Sequence, residues 1–149
     1  MKLPKNNLRL TEIFRNAATP DISEFSGEYF VDMLTVFPSF KRFSHRKVFH
    51  LENDKVSGYN VLLNRTWGHF FLEEGICNEL DSLRAVVINY DRRENTFFIR
   101  RIRDHVRRIE QDIYLGRFNY LLYGRLYFGG YFLLEKIERK LVRSQERKS

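Results

Sequence analysis

Asn89 to Leu134 reads NYDRRENTFFIRRIRDHVRRIEQDIYLGRFNYLLYGRLYFGGYFLL, and this stretch decides the fold. It contains three runs of β-forming residues separated by short polar turns, and arginine and tyrosine recur in it at the spacing of one strand face. We therefore expect an antiparallel sheet that closes on itself, carries cations in its interior and encloses a cavity suited to a small, partly apolar anion.

The composition is that of one folded domain. The chain has 149 residues, of which 43% are hydrophobic and 15% aromatic, and this excludes general disorder. We expect a single domain over 1–149, with a helix at 8–18, a barrel at 27–134 and a basic tail at 135–149.

Cysteine content and the amino terminus bear on localisation. No apolar run is long enough to span a membrane, and residues 1–7 lack the apolar core of a signal peptide. Cys77 is the single cysteine and cannot form an internal disulfide. We expect a cytoplasmic protein in which Cys77 is a structural thiol, because no base accompanies it as in a nucleophile motif.

One short helix is predicted near the start. Asn7 can cap it and Pro20 prevents its continuation, so that it covers Leu8–Ala18. Its apolar stripe at helical spacing consists of Leu10, Ile13, Phe14 and Ala17.

Short β-runs fill the rest of the chain. Because they follow one another without a βαβ rhythm, they predict a mainly β protein, an up-and-down barrel of about eight strands with the helix packed over one end. The unambiguous strands are predicted at 28–34, 46–51, 55–63, 66–73, 83–90, 113–123 and 125–134.

The remaining run, Ile99–Ile109, fits two periods. Its isoleucines and Val106 fit a helix stripe, whereas its strong strand neighbours and the short turn before it favour a strand. As a strand it places four basic residues on one face, which we expect to point outward, and Asp104 on the other, where we expect an ion pair with an arginine such as Arg117. The basic face consists of Arg101, Arg103, His105 and Arg107.

The order of elements resembles the lipocalin-like, or calycin, barrels from Leu8 to Leu134. Gly27-Glu28-Tyr29 stands where that group has Gly-x-Trp on the first strand, with tyrosine in place of tryptophan. Arg125-Leu126-Tyr127 on the last strand resembles the Arg-x-Tyr that clamps a carboxylate in fatty-acid-binding proteins. The resemblance implies an eight-stranded barrel that holds a small hydrophobic ligand.

The candidate ligand site follows from strand alternation. Arg125 and Tyr127 lie two apart, share one face and can hold one carboxylate or phosphate. Arg117, Asn60 and Trp67 are further candidates for the lining. We expect residues 37–43 to form the entrance loop.

Other functions remain open at this stage. No catalytic signature is present, which favours a binding protein over an enzyme, although an enzyme using the same cavity is an alternative. The four scattered histidines lack ligand spacing and indicate no metal site. No particular cofactor is indicated. The net charge of +7 and the mixture of arginine and aromatic residues also fit single-stranded RNA binding, which the lack of a recognition motif disfavours. Weak contact with a membrane surface, through Phe37, Phe40, Phe43 and the basic tail, is a third possibility.

Overall fold

Eight antiparallel strands close into a barrel in a computed structural model that describes residues 2–35 and 45–148. Each strand pairs with the next in sequence, and the last pairs with the first, where Val31 lies opposite Leu134. The predicted up-and-down barrel is confirmed. The strands are β1 (Gly27–Met33), β2 (His45–Glu52), β3 (Lys55–Leu62), β4 (Arg65–Cys77), β5 (Leu83–Asn89), β6 (Arg103–Glu110), β7 (Ile113–Leu122) and β8 (Arg125–Lys136).

The amino-terminal helix α1 (Asn7–Asn16) packs on the outside of the barrel, against β6 and β8, and not over one end. Asn6, one residue before the predicted cap, accepts hydrogen bonds from the first helical amides. Leu10 and Phe14 are fully buried in an outer apolar cluster that includes Leu115 and Leu133. The sheet is therefore covered on part of its outer face.

Aromatic side chains fill one end of the barrel interior. A 3₁₀ turn at Ile22–Glu24 leads into Phe25, whose ring lies 4.5 Å from that of Tyr114 and 5.4 Å from that of Phe49. Tyr29 packs edge-on against Phe49. This end is closed by packed rings, so that in the described part of the barrel the space for a ligand lies toward the other end.

The ambiguous run is a 3₁₀ turn followed by a strand. Ile99–Arg101 forms the turn, and β6 starts only at Arg103. His105 and Arg107 point outward, as predicted, but they are buried there and not solvated. Val106 points into the interior cluster.

Helix α2 (Ile137–Lys148) follows β8 directly. The last strand therefore runs two residues further than the predicted barrel, and the predicted basic tail is largely helical. No helix within the described residues is both long and apolar enough to cross a bilayer. The predicted entrance loop at 37–43 lies outside the described residues.

Candidate ligand site in the barrel

A cavity of about 540 Å³ occupies the end of the barrel opposite the packed rings. It is bounded by the end of β1, the start of β2 and the segment between β5 and β6, and its volume falls within the range of small-molecule sites. Six side chains with polar groups line it, namely His45, Lys47, Trp67, Tyr90, Asp104 and Tyr120. The rest of the lining is apolar and consists of Val31, Met33, Leu62, Phe98, Ile99, Ile102, Phe118 and Phe132.

Lys47 points inward from β2 and is only 3% exposed. Its amine donates hydrogen bonds to Asn60 Oδ1 at 2.7 Å and to the Tyr90 hydroxyl at 2.5 Å. The nitrogen also lies 5.2–5.6 Å from the ring centroids of Phe70, Tyr90 and Phe132. Burial lowers the pKa of Lys47 to about 8, and the charge of Asp104 opposes this shift.

Asn60 holds these groups in place. Its side-chain oxygen accepts from Lys47 and from His45 Nε2, the latter at 3.0 Å, and its amide donates to the Gly68 carbonyl and the Tyr90 hydroxyl. A side chain at position 68 would meet the amide, since a Cβ there would lie 2.9 Å from Asn60 Nδ2. Asn60 is fully buried with its polar atoms satisfied, and it therefore positions the amine and the phenol.

His45 lies beside this network with its ring 5.6 Å from that of Trp67. Burial and the charge of Lys47 lower the pKa of His45 to about 4. The imidazole is therefore neutral at physiological pH and donates its Nε2 proton to Asn60.

Asp104 points into the cavity from β6 and is 2% exposed. Burial raises the pKa of Asp104 to about 7, against the opposing effect of the Lys47 charge. Its Oδ1 has no hydrogen-bond partner among the described residues. A buried polar atom of this kind, aimed into a cavity, is suited to a ligand group or to a bound water.

The expected ion pair between Asp104 and Arg117 is wrong. Arg117 lies opposite His105 in the β6–β7 register, and it therefore points to the outer face. There its guanidinium donates to the Tyr131 hydroxyl at 2.6 Å and to Glu79 at 2.8 Å. Arg117 connects the outer cluster to the segment after β4 and does not line the cavity.

The other predicted site residues divide into two groups. Trp67 lines the cavity and Asn60 lies directly behind its polar wall. Arg125 and Tyr127 share one face as expected, with the guanidinium carbon 5.7 Å from the ring centroid, but both are exposed and neither lines the cavity. Arg125 lines a groove on the outside of the barrel together with His105. A role of Arg125, Tyr127 or Arg117 in binding stays a prediction.

Sequence reasoning missed Lys47 as the cation of the cavity. Arg46 and Lys47 lie on opposite faces of β2, so neither face of the strand is purely apolar in the sequence. Its signal was the shared face with Phe49, a core aromatic two residues further on.

The lining combines long apolar walls with one polar corner that contains an amine, a phenol and a carboxyl group. Such a cavity can hold one amphipathic molecule, with its polar end at Lys47 and Asp104. No family model, curated protein or solved structure matches this chain.

Proposed function

We propose that the barrel binds one small amphipathic molecule, with an anionic head at Lys47 and an apolar body along the cavity wall. The observation that carries this proposal is that the buried amine of Lys47 and Asp104 Oδ1, which has no hydrogen-bond partner among the described residues, line the same mainly apolar cavity. Binding of a small hydrophobic ligand inside the barrel is also the function that the resemblance to lipocalin-like barrels implies. The cytoplasmic location stays a prediction.

The head would be held by two donors. Lys47 as an ammonium supplies one charge-assisted hydrogen bond, and Asp104 in its protonated form supplies another. The raised pKa of Asp104 supports this arrangement, because its proton is then available near neutral pH. Lys47, protonated Asp104 and a monoanion together carry no net charge, which suits a buried site.

Apolar walls would supply most of the affinity. Phe118, Tyr120 and Phe132 lie on β7 and β8, and Val31 and Met33 lie on the neighbouring strand β1. Burial of a hydrocarbon chain contributes about 25 cal/mol for each Å² removed from water. A ligand without a charged head should therefore also bind, but its affinity should depend less on Lys47.

Calorimetric titration with decanoate and decan-1-ol tests the proposal. We expect Lys47→Met to weaken decanoate binding by about tenfold to a hundredfold, the value of one charge-assisted hydrogen bond. Decan-1-ol should lose much less, since it carries no charge. Native mass spectrometry of the purified protein, with extraction of any retained molecule, would identify the natural ligand.

One variant serves as a control. Arg125→Ala should leave decanoate affinity unchanged, because Arg125 does not line the cavity. Each variant must keep the β-type circular-dichroism spectrum of the wild type. Equal decanoate affinity in wild type and Lys47→Met, or a large loss in Arg125→Ala, would remove Lys47 as the anchor.

A further inference from the structure

Among the described residues, exposed apolar side chains gather at the end of the barrel that contains the cavity, which we call the open end. Up-and-down topology brings the β3–β4 turn, the β5–β6 segment and the β7–β8 turn to the same end, the end that contains the cavity. Phe97 is 63%, Phe98 72% and Tyr123 99% exposed. We call the following residues the mouth patch: Leu63, Phe97, Phe98, Leu122 and Tyr123.

The mouth patch is continuous with the cavity. Phe98 is largely exposed and yet lines the cavity, so that its ring belongs to both surfaces. Leu62 lines the cavity directly before the exposed Leu63. An apolar molecule entering or leaving the barrel here would remain in contact with apolar side chains.

Positive charge surrounds this patch. The segments 63–65, 90–103 and 123–125 contain seven arginines and two carboxylates. At the other end, the turns 52–55 and 78–82, with residues 110–112, contain six carboxylates and one lysine. Among the described turns, those at the open end are thus mainly basic and those at the other end mainly acidic, where Glu79 and Asp81 pair with Arg117 and Arg15. Helix α2, which follows β8, carries further basic residues.

Arg101 fixes the geometry of the patch. Its guanidinium carbon lies 4.2 Å from the ring centroid of Phe97, and its Nη1 donates to the Leu121 carbonyl at 3.3 Å. The arginine thereby joins the β5–β6 segment to the end of β7. The rings of Phe97 and Phe98 stand at 76° to each other.

We propose that the mouth patch docks on an anionic lipid bilayer. Aromatic rings at this position would insert at the level of the headgroups, and the surrounding arginines would lie against anionic lipids. Docking in this orientation places the cavity entrance on the bilayer, so that an amphipathic ligand passes between them without crossing water. This last step rests on the proposed function, whereas docking itself does not.

The same residues fit a single strand of RNA less well. Bases stack on open ring faces, but Arg101 covers one face of Phe97 and the neighbouring ring of Phe98 is nearly perpendicular to it. The continuity of the patch with an apolar cavity also has no use in binding nucleic acid.

Vesicle flotation with the ligand-free full chain tests the docking. The probes are vesicles of phosphatidylcholine alone and of phosphatidylcholine with phosphatidylglycerol. We expect binding only to the anionic vesicles, and at least a tenfold loss in Phe97→Ser with Tyr123→Ser, since neither ring lines the cavity. Leu8→Ser with Leu51→Ser changes two exposed apolar residues away from the mouth and should bind as the wild type does.

A charge-matched pair of variants separates docking from general attraction. Arg65→Glu with Arg93→Glu reverses two charges at the mouth, and Arg147→Glu with Lys148→Glu reverses two in α2. We expect a tenfold or larger loss only for the mouth pair, because each arginine near the surface contributes several-fold. Equal losses, or no binding to anionic vesicles, would overturn the proposal.

Two further measurements complete the test. Tight binding of a single-stranded RNA oligonucleotide that the mouth variants abolish would assign the patch to RNA instead. Decanoate titration of Phe97→Ser with Tyr123→Ser should match the wild type. Failure of docking is thus distinguishable from failure of ligand binding in the cavity.

Discussion

Lys47 and Asp104 shift each other's pKa inside an apolar cavity, and this makes their substitution effects interdependent. The positive charge of Lys47 lowers the pKa of Asp104, so that Lys47→Met should raise that pKa above about 7. Titration of the aspartate side-chain carboxyl by carbon NMR measures the change. A pKa of Asp104 that stays the same or falls in Lys47→Met would contradict the coupling.

Stability gives a second readout of the same pair. Removing one partner takes away the opposite charge that stabilises the ionised form of the other, whereas removing both leaves an apolar wall. We expect Lys47→Met with Asp104→Leu to be less destabilised than the sum of the two single variants, by about 1 kcal/mol or more. Chemical denaturation of the four proteins near pH 7 provides the comparison.

His45 should make the fold sensitive to acid. Its pKa in the folded protein is lowered to about 4 from an ordinary 6.5, so the stability gained from its neutral form is present above about 6.5 and is lost as pH falls toward 4. At about pH 4.5 the loss should be about 2–3 kcal/mol. The measurement is the difference in unfolding free energy between wild type and His45→Gln, at that pH and at neutral pH.

His45→Gln is suited to this comparison because glutamine can still donate to Asn60. The carboxylates titrate in both proteins, so their contributions to the unfolding free energy cancel in the difference. An unfolding free energy whose pH dependence is identical in the two proteins would show that His45 is not the group responsible.

The sequence predicted polar residues in the lining but not Lys47 and Asp104 as its charged members. Asn60 and Trp67 stand out because each interrupts an apolar strand. Lys47 does not stand out, since β2 carries basic residues on both faces and only closure of the barrel decides which face is inside. The placement of Arg117 depends on its register with His105, which no local pattern contains.

Helix α1 is joined to the barrel through Arg107. This buried guanidinium donates to the carbonyls of Phe14 and Ala17 at the end of the helix, to the Thr19 hydroxyl and to the Arg84 carbonyl. Arg107→Met keeps much of the volume but leaves these acceptors without their donor. We expect a loss of about 2–4 kcal/mol in unfolding free energy, with Arg107→Lys intermediate.

Hydrogen exchange locates that effect. Amides of α1 should lose more protection in Arg107→Met than amides of β3, a strand on the side of the barrel away from β6 and β8, which α1 contacts. Uniform loss of protection would mean that Arg107 stabilises the whole barrel and not the attachment of the helix.

The elements themselves were largely predictable, and their ends were not. Strands between short polar turns have few alternatives, and hydrophobic alternation is sufficient to find them. Ile99–Arg101 differs because its isoleucine spacing fits a helical turn locally, and the strand begins only where Arg103 can pair with Asn89. Phe97 and Phe98 belong to the run that was predicted as β-forming, but they lie before the 3₁₀ turn and are exposed.

The molecule as a whole has two unlike ends. Phe25 and its neighbouring rings close one end, while the cavity and the mouth patch occupy the other. Closure of the sheet into a barrel could be predicted from the number of β-runs, because a ring of eight strands leaves no exposed sheet edge. Which end stays open depends on where large and small side chains meet inside, and this is a property of the assembled barrel.

Binding of an anionic ligand should be coupled to the uptake of protons by the site. Below about pH 7 Asp104 carries its proton and Lys47 is charged, so that a monoanion enters a site already in the required state. Above that pH Asp104 is ionised, and binding must take up one proton. Decanoate affinity should therefore fall about tenfold for each pH unit above 7, and more steeply above 8, where Lys47 also loses its proton.

Calorimetry at several pH values, in buffers of different ionisation enthalpy, measures both the affinity and the number of protons taken up. Decan-1-ol has no charge to balance, so its affinity should stay nearly constant over the range from about pH 6 to about pH 9. Asp104→Asn keeps a donor but cannot ionise, so binding should be retained and the remaining pH dependence of decanoate affinity should come from Lys47 alone, with one proton taken up at high pH instead of two. A decanoate affinity that is independent of pH in the wild type would mean that the anion binds without proton uptake, and that protonated Asp104 does not hold its head.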